Sequence, residues 1–334
     1  MENYANTKGI EYVNCNLCGS NNAELHFQAP VLPYRVGIYN RDVWDVVRCR
    51  NCGLIYVNPR IDDEAREAFY SFQTPGDDQF VQEWFLESAD LHRPNWQRFI
   101  RTMQKHQPDG KLLDIGCGAG TFLVEARKMG YEVFGQEVAP YFIKYCREEQ
   151  NLTIYGDFME NLQLAPESFD CITNFDVIEH HPDPKLLVSQ MYDLLRPGGL
   201  AVISTHDIGN FFARHYGVKW RYIRPIGHIT YFTRDTLAHL MTDCGFRVVQ
   251  AGGSHTIDET RFKVFRNYIR QFMRVIVLRA LILWVYKPLA ERLPALRRWQ
   301  FKIGGATLNH EKLLVRASNQ IIMDDDMVIL ARKV

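Results

Sequence analysis

The run Lys111-Leu112-Leu113-Asp114-Ile115-Gly116-Cys117-Gly118-Ala119-Gly120-Thr121 decides the fold of this chain. An apolar segment of strand length ends in a glycine-rich turn that opens a helix, TFLVEARKMG. Glycines let the backbone turn tightly and approach a ligand without interference from Cβ. A dinucleotide fingerprint would want glycine or alanine where Thr121 stands. Asp114, two residues before the first glycine, is placed to take up a ligand's amino group. Glu137 closes the next strand, EVFGQE, where an acid can accept both hydroxyls of a ribose. Gly156-Asp157 follows the third strand, where an acid can bond an adenine amino group.

Outward from that turn, LLDI, EVFGQE, TIYGD, FDCITNFD and GLAVIST read as strands, with helices such as TFLVEARKMG and YFIKYCREEQ between them. Such alternation predicts an α/β fold, a parallel sheet covered by helices on both faces. THDIGNFFARHYG reads as a further helix, followed by a Gly/Pro-punctuated loop at 217–230. In TRDTLAHLMTDCGF, Thr233 is the expected N-cap and Gly245 the stop. FRVVQAGG and MVILARKV are the last strands, with an insertion at 256–320 between them.

LLDIGCGAGTFL, GQEVAP, GDF, FDCITNFDVIEH and LLRPGGLAVIST, in that order over about residues 108–205, resemble the successive motifs of class I methyltransferases that use S-adenosylmethionine (SAM). The resemblance implies a Rossmann-like seven-stranded sheet whose last strand is antiparallel, a place that MVILARK fits. It also implies SAM held by Asp114, Gly116, Gly118, Glu137 and Asp157, with Phe158 near the adenine.

Eight cysteines without a secretory leader argue for metal or core roles over disulfides. Cys15-x-x-Cys18 and Cys49-x-x-Cys52 form two knuckles, each followed by glycine, that can close a tetrahedral structural zinc site. Cys117, Cys146, Cys171 and Cys244 stand singly and read as small core residues. Residues 1–60, with strand-like pieces LHFQAP, YRVGIYN and WDVVRCRNCGLIYVNP, are the expected zinc module. Residues 61–107 read as a helical linker or cap, and 108–334 as the SAM domain with its insertion. The cysteine pattern also resembles, more loosely, the N-terminal zinc domain of some sugar and natural-product methyltransferases.

Asp176-Val177-Ile178-Glu179-His180-His181-Pro182 follows the fourth strand, at the sheet edge where ligands sit in open α/β folds. His180 suits the role of general base for a hydroxyl acceptor, and His228, in RPIGHITYF, is expected to face the same cleft. Asp176, Glu179, His180 and His228 have a second reading as ligands of a second divalent cation, in an order that resembles metal-assisted RNA-terminus and ubiquinone O-methyltransferases. In a third, these residues shape loops and contact substrate. His181 reads as a solvent-facing turn residue, and Trp220, Tyr222, Tyr231 and Phe232 as either an acceptor platform or core.

Apolar residues make up 46% of the 334 and charged residues 23%, as in an ordinary globular protein, and the zero net charge gives no global case for nucleic acid. The balance hides an asymmetry. Residues 261–302 hold eleven Lys/Arg and one acid, with Arg266, Arg270 and Arg274 on one helical stripe and Phe262, Phe265, Ile269, Phe272, Met273 and Ile276 opposite. This basic, apolar segment reads as a contact with a membrane surface, with a lid, an oligomer interface or a nucleic-acid contact as alternatives. No apolar run of 18 residues is present, so the expected location is cytoplasmic, peripheral at the inner membrane face. The reaction expected is O-methylation of a small or lipid-linked saccharide, with C- or N-methylation, or SAM binding without turnover, as rivals.

Overall fold

The computed structural model describes residues 9–30, 42–70, 89–253, 286–292, 301–303, 306–308 and 326–334. The chain divides into two compact units, residues 1–257 with 325–334, and residues 258–324.

In the first unit the cysteine-bearing segment forms β1 (Ile10–Glu11), β2 (Ala23–Pro30), β3 (Val43–Cys49), β4 (Ile55–Val57) and β5 (Arg60–Ile61), followed by helices α1 (Asp63–Tyr70) and α2 (Ala89–Gln104). The expected strand YRVGIYN lies outside the described residues, whereas β2 and β3 pair antiparallel. From β6 (Gly110–Ile115) the chain alternates through α3 (Thr121–Lys128), β7 (Tyr131–Gln136), α4 (Pro140–Glu148), β8 (Thr153–Tyr155), β9 (Phe169–Phe175), α5 (Pro184–Leu194) and β10 (Leu195–His206). Then follow α6 (Phe211–Tyr216), β11 (Thr230–Tyr231), α7 (Arg234–Asp243) and β12 (Phe246–Gly253). The second unit contributes α8 (Lys287–Arg292) and a hairpin of β13 (Phe301–Ile303) and β14 (Ala306–Leu308). The final strand, β15 (Asp326–Lys333), returns to the first unit.

The seven-stranded sheet has the order β12-β15-β10-β9-β6-β7-β8. The pairs among β6–β10 are parallel, whereas β15 runs antiparallel to both β10 and β12, as the resemblance implied. From β6 the chain moves out to β7 and β8, then crosses back to β9 on the other side. That reversal leaves a crevice outside the carboxyl ends of β6 and β9, the place where doubly wound sheets bind ligands.

Strand alternation feeds two separate cores. Leu113, Ile115, Ile172 and Ile203 pack with Leu187 and Met191 of α5 and Leu237 and Leu240 of α7. Leu112, Cys171, Leu200 and Val202 face the other way, onto Ile100 and Met103 of α2 and Phe122 and Leu123 of α3. A third cluster joins Trp44, Val46, Ile55 and Val57 of the cysteine module to Trp220, Ile223 and Tyr231.

Two local expectations change. The helix read over THDIGNFFARHYG begins only at Phe211, and His206 is the last residue of β10. Pairing with β15 carries the ladder on to His206, opposite Asp326, and Asn210 caps the shorter helix by accepting from the Ala213 N–H at 2.8 Å. The loop at 217–230 ends in β11, which adds to the cysteine module's sheet beside β4, in the order β11-β4-β3-β2.

The segment 261–302 lies outside the described residues except at 286–292 and 301–302. Among the described residues, no helix is long and apolar enough to cross a membrane.

Thr233 begins α7 as expected, its hydroxyl accepting from the Thr236 N–H at 3.2 Å while the Thr236 hydroxyl accepts from the Thr233 N–H at 2.9 Å. Thr233→Ala breaks this reciprocal pair and is expected to lower stability by about 1 kcal/mol, read from denaturant melts of variant and parent.

Candidate functional site

A cavity of about 490 Å³ opens at the carboxyl ends of β6, β7 and β9. Asp114, Gly116, Gly118, Glu137 and Phe158 line it together with Arg66 of α1 and Trp96 of α2. The glycine turn is held in left-handed conformations, with φ of +71° at Gly116 and +52° at Gly118. At Gly116 a Cβ would come within 2.4 Å of Val177 Cγ2, so the turn and the loop after β9 can approach only through glycine. At Gly118 a Cβ would meet nothing within 4 Å, and a side chain would enter space that the lining leaves open to a ligand.

Each acid expected to hold the cofactor has a defined setting. Asp114 is 3% exposed and accepts from the Thr173 hydroxyl at 2.7 Å; burial pushes its carboxyl up to about 7. Glu137 accepts backbone N–H bonds from Gly118 at 2.8 Å, Val138 at 2.8 Å and Ala139 at 2.9 Å. These bonds lower its carboxyl, yet burial dominates and leaves it raised. Asp157 is exposed and outside the lining. Its carboxylate accepts from Phe158 N at 2.7 Å and Asn161 Nδ2 at 2.9 Å and so shapes the turn that presents Phe158. The Arg66 guanidinium lies 4.5 Å from the Phe158 ring centroid and closes that side of the cavity. Arg66 carries no motif; only the fold brings it there.

At the other end lie Asp176, His180 and His181. Asp176 has φ +54°, unusual for a residue with a side chain, and accepts from the Ser204 hydroxyl at 3.1 Å. The Nδ1 of His180 is 2.8 Å from the Gly227 carbonyl, which makes Nδ1 the protonated nitrogen and Nε2 the basic one. His181, expected to face solvent, is 10% exposed and turned inward, with Nε2 3.7 Å from Glu160. The carboxylate attracts the ring, and Nδ1 accepts from the Asp183 N–H at 3.1 Å.

Glu179 and His228 are buried behind this lining. Glu179 accepts from the Thr205 hydroxyl at 2.8 Å, and burial raises its carboxyl. His228 packs edge-on against His180, with ring centroids 4.7 Å apart, and its Nδ1 bonds the Tyr222 carbonyl at 2.8 Å. Burial drives His180 down to about 4 and lowers His228 as well. His206, which the sequence reading passed over as part of a helix, joins this group. It stacks on Tyr222 at 3.5 Å and is 2.6 Å from Asp326. The available signal was a histidine at the carboxyl end of a parallel strand, the edge where α/β sheets bind ligands. Trp220, Tyr231 and Phe232 are core, whereas Tyr222 is only half-buried.

Residues 89–251 match the family described as a methyltransferase domain. That match covers just under half of the chain. A ubiquinone biosynthesis O-methyltransferase of Cereibacter sphaeroides is 34% identical over 154 residues, 43% of this chain and 62% of that protein. A malonyl-[acyl-carrier protein] O-methyltransferase of Yersinia pestis is 29% identical over 167 residues, 49% of this chain and 60% of that protein. The chain thus spans under two thirds of the length of these curated relatives. A SAM-dependent methyltransferase structure from Archaeoglobus fulgidus is similar at 21% identity with a TM-score of 0.48, over 77% of this chain and 99% of that one.

Outside the cavity, the sulfurs of Cys15, Cys18, Cys49 and Cys52 all lie within 4.8 Å of one another. Cys15 and Cys52 are 3.4 Å apart, and Cys18 and Cys49 3.5 Å. Gly19 and Gly53 take φ of +72° and +80°, and their N–H groups close the knuckles onto the carbonyls of Cys15 and Cys49. Burial pushes the Cys15 thiol up to about 11. Four convergent sulfurs fit a closed tetrahedral zinc site. Cys117, Cys146 and Cys171 are buried and Cys244 half-buried.

Asp114→Asn keeps an acceptor for Thr173 and removes a buried charge. The folded carboxyl titrates near 7 against an ordinary 3.8, so the folded parent loses stability as pH rises between those values. The variant is therefore expected to match the parent below about pH 4 and to exceed it by on the order of 4 kcal/mol above about pH 7. Its SAM affinity is expected to fall by about tenfold or more. Melts across the pH range and SAM titrations check both; equal stability at pH 8 would show that the charge carries no cost.

Proposed function

We propose that this chain transfers the SAM methyl group to a hydroxyl oxygen of a small or lipid-linked acceptor, a saccharide, with His180 receiving the proton. The single observation that carries the reading is His180 itself. It lines the same cavity as the glycine turn, and its Nδ1 is tied to the Gly227 carbonyl, which makes Nε2 the base. When bound, SAM supplies a methyl group on a sulfonium that is already activated for displacement. Glu137 holds the ribose, Gly116 and Gly118 give the ligand close approach, and Asp114 takes the amino group. Phe158, under Arg66, flanks the adenine, and Asp157 acts through the turn that positions it. The buried walls exclude water, and alignment of the acceptor oxygen accounts for much of the rate. His228 and Glu179 stand behind His180: His228 packs its ring, and Glu179 accepts from the Ile229 N–H through its backbone carbonyl at 2.9 Å.

The four cysteines hold zinc and give the N-terminal module the stability that so small a segment cannot draw from core burial alone. The looser likeness of this module to zinc domains of sugar and natural-product methyltransferases supports a saccharide acceptor. O-methylation, rather than C- or N-methylation, is favoured by a half-buried histidine at the cavity wall and by the O-methyltransferases among the relatives.

His180→Ala is expected to lower turnover roughly 10²–10⁴-fold with SAM affinity retained, whereas Glu137→Ala weakens SAM binding about tenfold or more. Label transfer from methyl-labelled SAM into extract fractions, with parallel SAM titrations, measures both. Unchanged turnover in His180→Ala would remove the base assignment and favour acceptor chemistry that needs no base.

The basic, apolar segment 261–302 is proposed to hold the enzyme at an anionic membrane surface, near a lipid-linked acceptor. Co-sedimentation with anionic vesicles is then expected at low salt and lost when Arg266, Arg270 and Arg274 are changed to glutamine. Label appearing only in the polar fraction, with no vesicle binding, would point instead to a soluble acceptor and a lid or interface role.

A further inference from the structure

Behind His180 the sheet edge gathers donors that base catalysis leaves unused. Glu179 comes from the turn after β9, His206 from the last position of β10 and His228 from the loop before β11. One metal-ligating atom from each lies within 4.8 Å of the others. The His206 Nε2 is 3.5 Å from Glu179 Oε1, beyond hydrogen-bond length. Two ligands of one tetrahedral ion, each about 2.1 Å from the metal, stand about 3.4 Å apart. Glu179 Oε1 is buried without a hydrogen-bond partner, on a side chain 3% exposed. An orphaned carboxylate oxygen in such a place is costly unless a cation or a water meets it.

The far atoms of the same three side chains are all fastened. His206 Nδ1 is 2.6 Å from Asp326 Oδ1, His228 Nδ1 is 2.8 Å from the Tyr222 carbonyl, and Glu179 Oε2 accepts from the Thr205 hydroxyl at 2.8 Å. Donation from Nδ1 leaves each imidazole's lone pair on Nε2. Histidines that bind metals show this pattern, the second nitrogen donating to a carboxylate or a carbonyl, and ligating carboxylates are themselves hydrogen-bonded. The set read from the motif shares Glu179 and His228 with this trio; His206 is the new member and Asp326 its orienting partner.

The geometry points to a binding site for a divalent first-row transition metal, held by Glu179 Oε1 and the Nε2 atoms of His206 and His228. Two imidazoles and one carboxylate suit zinc, cobalt or iron, and three protein ligands leave a position open. None of the three ligands lines the cavity, but His180, whose ring packs on His228 with centroids 4.7 Å apart, does, so the ion lies directly behind the His180 wall. Resting on the His180 base proposed above, an ion held there would fix the His228 ring against which His180 packs and so position the base in the cavity wall.

The test titrates Co²⁺ into the full chain with zinc already on the cysteines, following the visible absorption of a site without thiolate ligands. One further equivalent per chain is expected. His206→Asn and Glu179→Gln should each abolish it while SAM binding, as a check of folding, persists. Asp326→Asn leaves the ligands in place but frees the His206 ring, and is expected to weaken Co²⁺ about 10–100-fold. Absence of a further equivalent in the parent protein, or binding that survives both ligand substitutions, would overturn the site; the parent titration decides even where a variant fails to fold. Label transfer that runs at full rate with only the cysteine-bound ion present would overturn the metal's part in the reaction and leave O-methylation standing. An ion bound at the trio of a protein that transfers no methyl group would uphold the site and remove the reaction.

Discussion

Ile229 is hydrogen-bonded through both of its backbone groups: its carbonyl accepts from Val57 N at 2.9 Å, and its N–H donates to the Glu179 carbonyl at 2.9 Å. One residue thus joins the cysteine module to the loop after β9. The knuckle at Cys49 and Cys52 fixes the turn into β4, β4 pairs with β11, and β11 fixes the residue after His228. The same loop is tied from the module a second time, by Arg60 and Asn16, both of which donate to the Pro182 carbonyl. The His180 end of the cavity is therefore tied to the module in which the four cysteine sulfurs gather. A small segment far from the glycine turn so governs the position of the histidines.

The acids of the site oppose stability. Asp114, Glu137 and Glu179 are all buried, and burial raises each carboxyl. Thr173, three backbone N–H groups and Thr205 compensate in part. The apolar faces on either side of the sheet supply the surplus that lets the fold carry these charges.

How much of this was legible in the sequence follows from how local each signal is. The glycine turn, the strand–helix alternation and the Thr233 cap are set by neighbours in the chain, and the structure shows each where the sequence put it. The cysteine knuckles, with glycines at 19 and 53, are local in the same sense. His206 was misplaced because its ladder partner, Asp326, lies 120 residues further on, and no local pattern announces a strand that a distant partner prolongs. His181 was misjudged for the same reason, since the carboxylate that draws it inward belongs to Glu160. Arg66 reached the cavity through the packing of α1, with no motif of its own.

The antiparallel strand β15 has a consequence for biogenesis. It fills the gap between β10 and β12, yet it follows residues 258–324 in the chain. During synthesis, both neighbours are made well before the strand that joins them, and until it arrives each exposes an unpaired edge. Asp326 enters at the same moment, and with it the hydrogen bond that fixes the His206 ring. The nascent chain therefore gains the carboxylate that holds the His206 ring only in the step that completes its sheet.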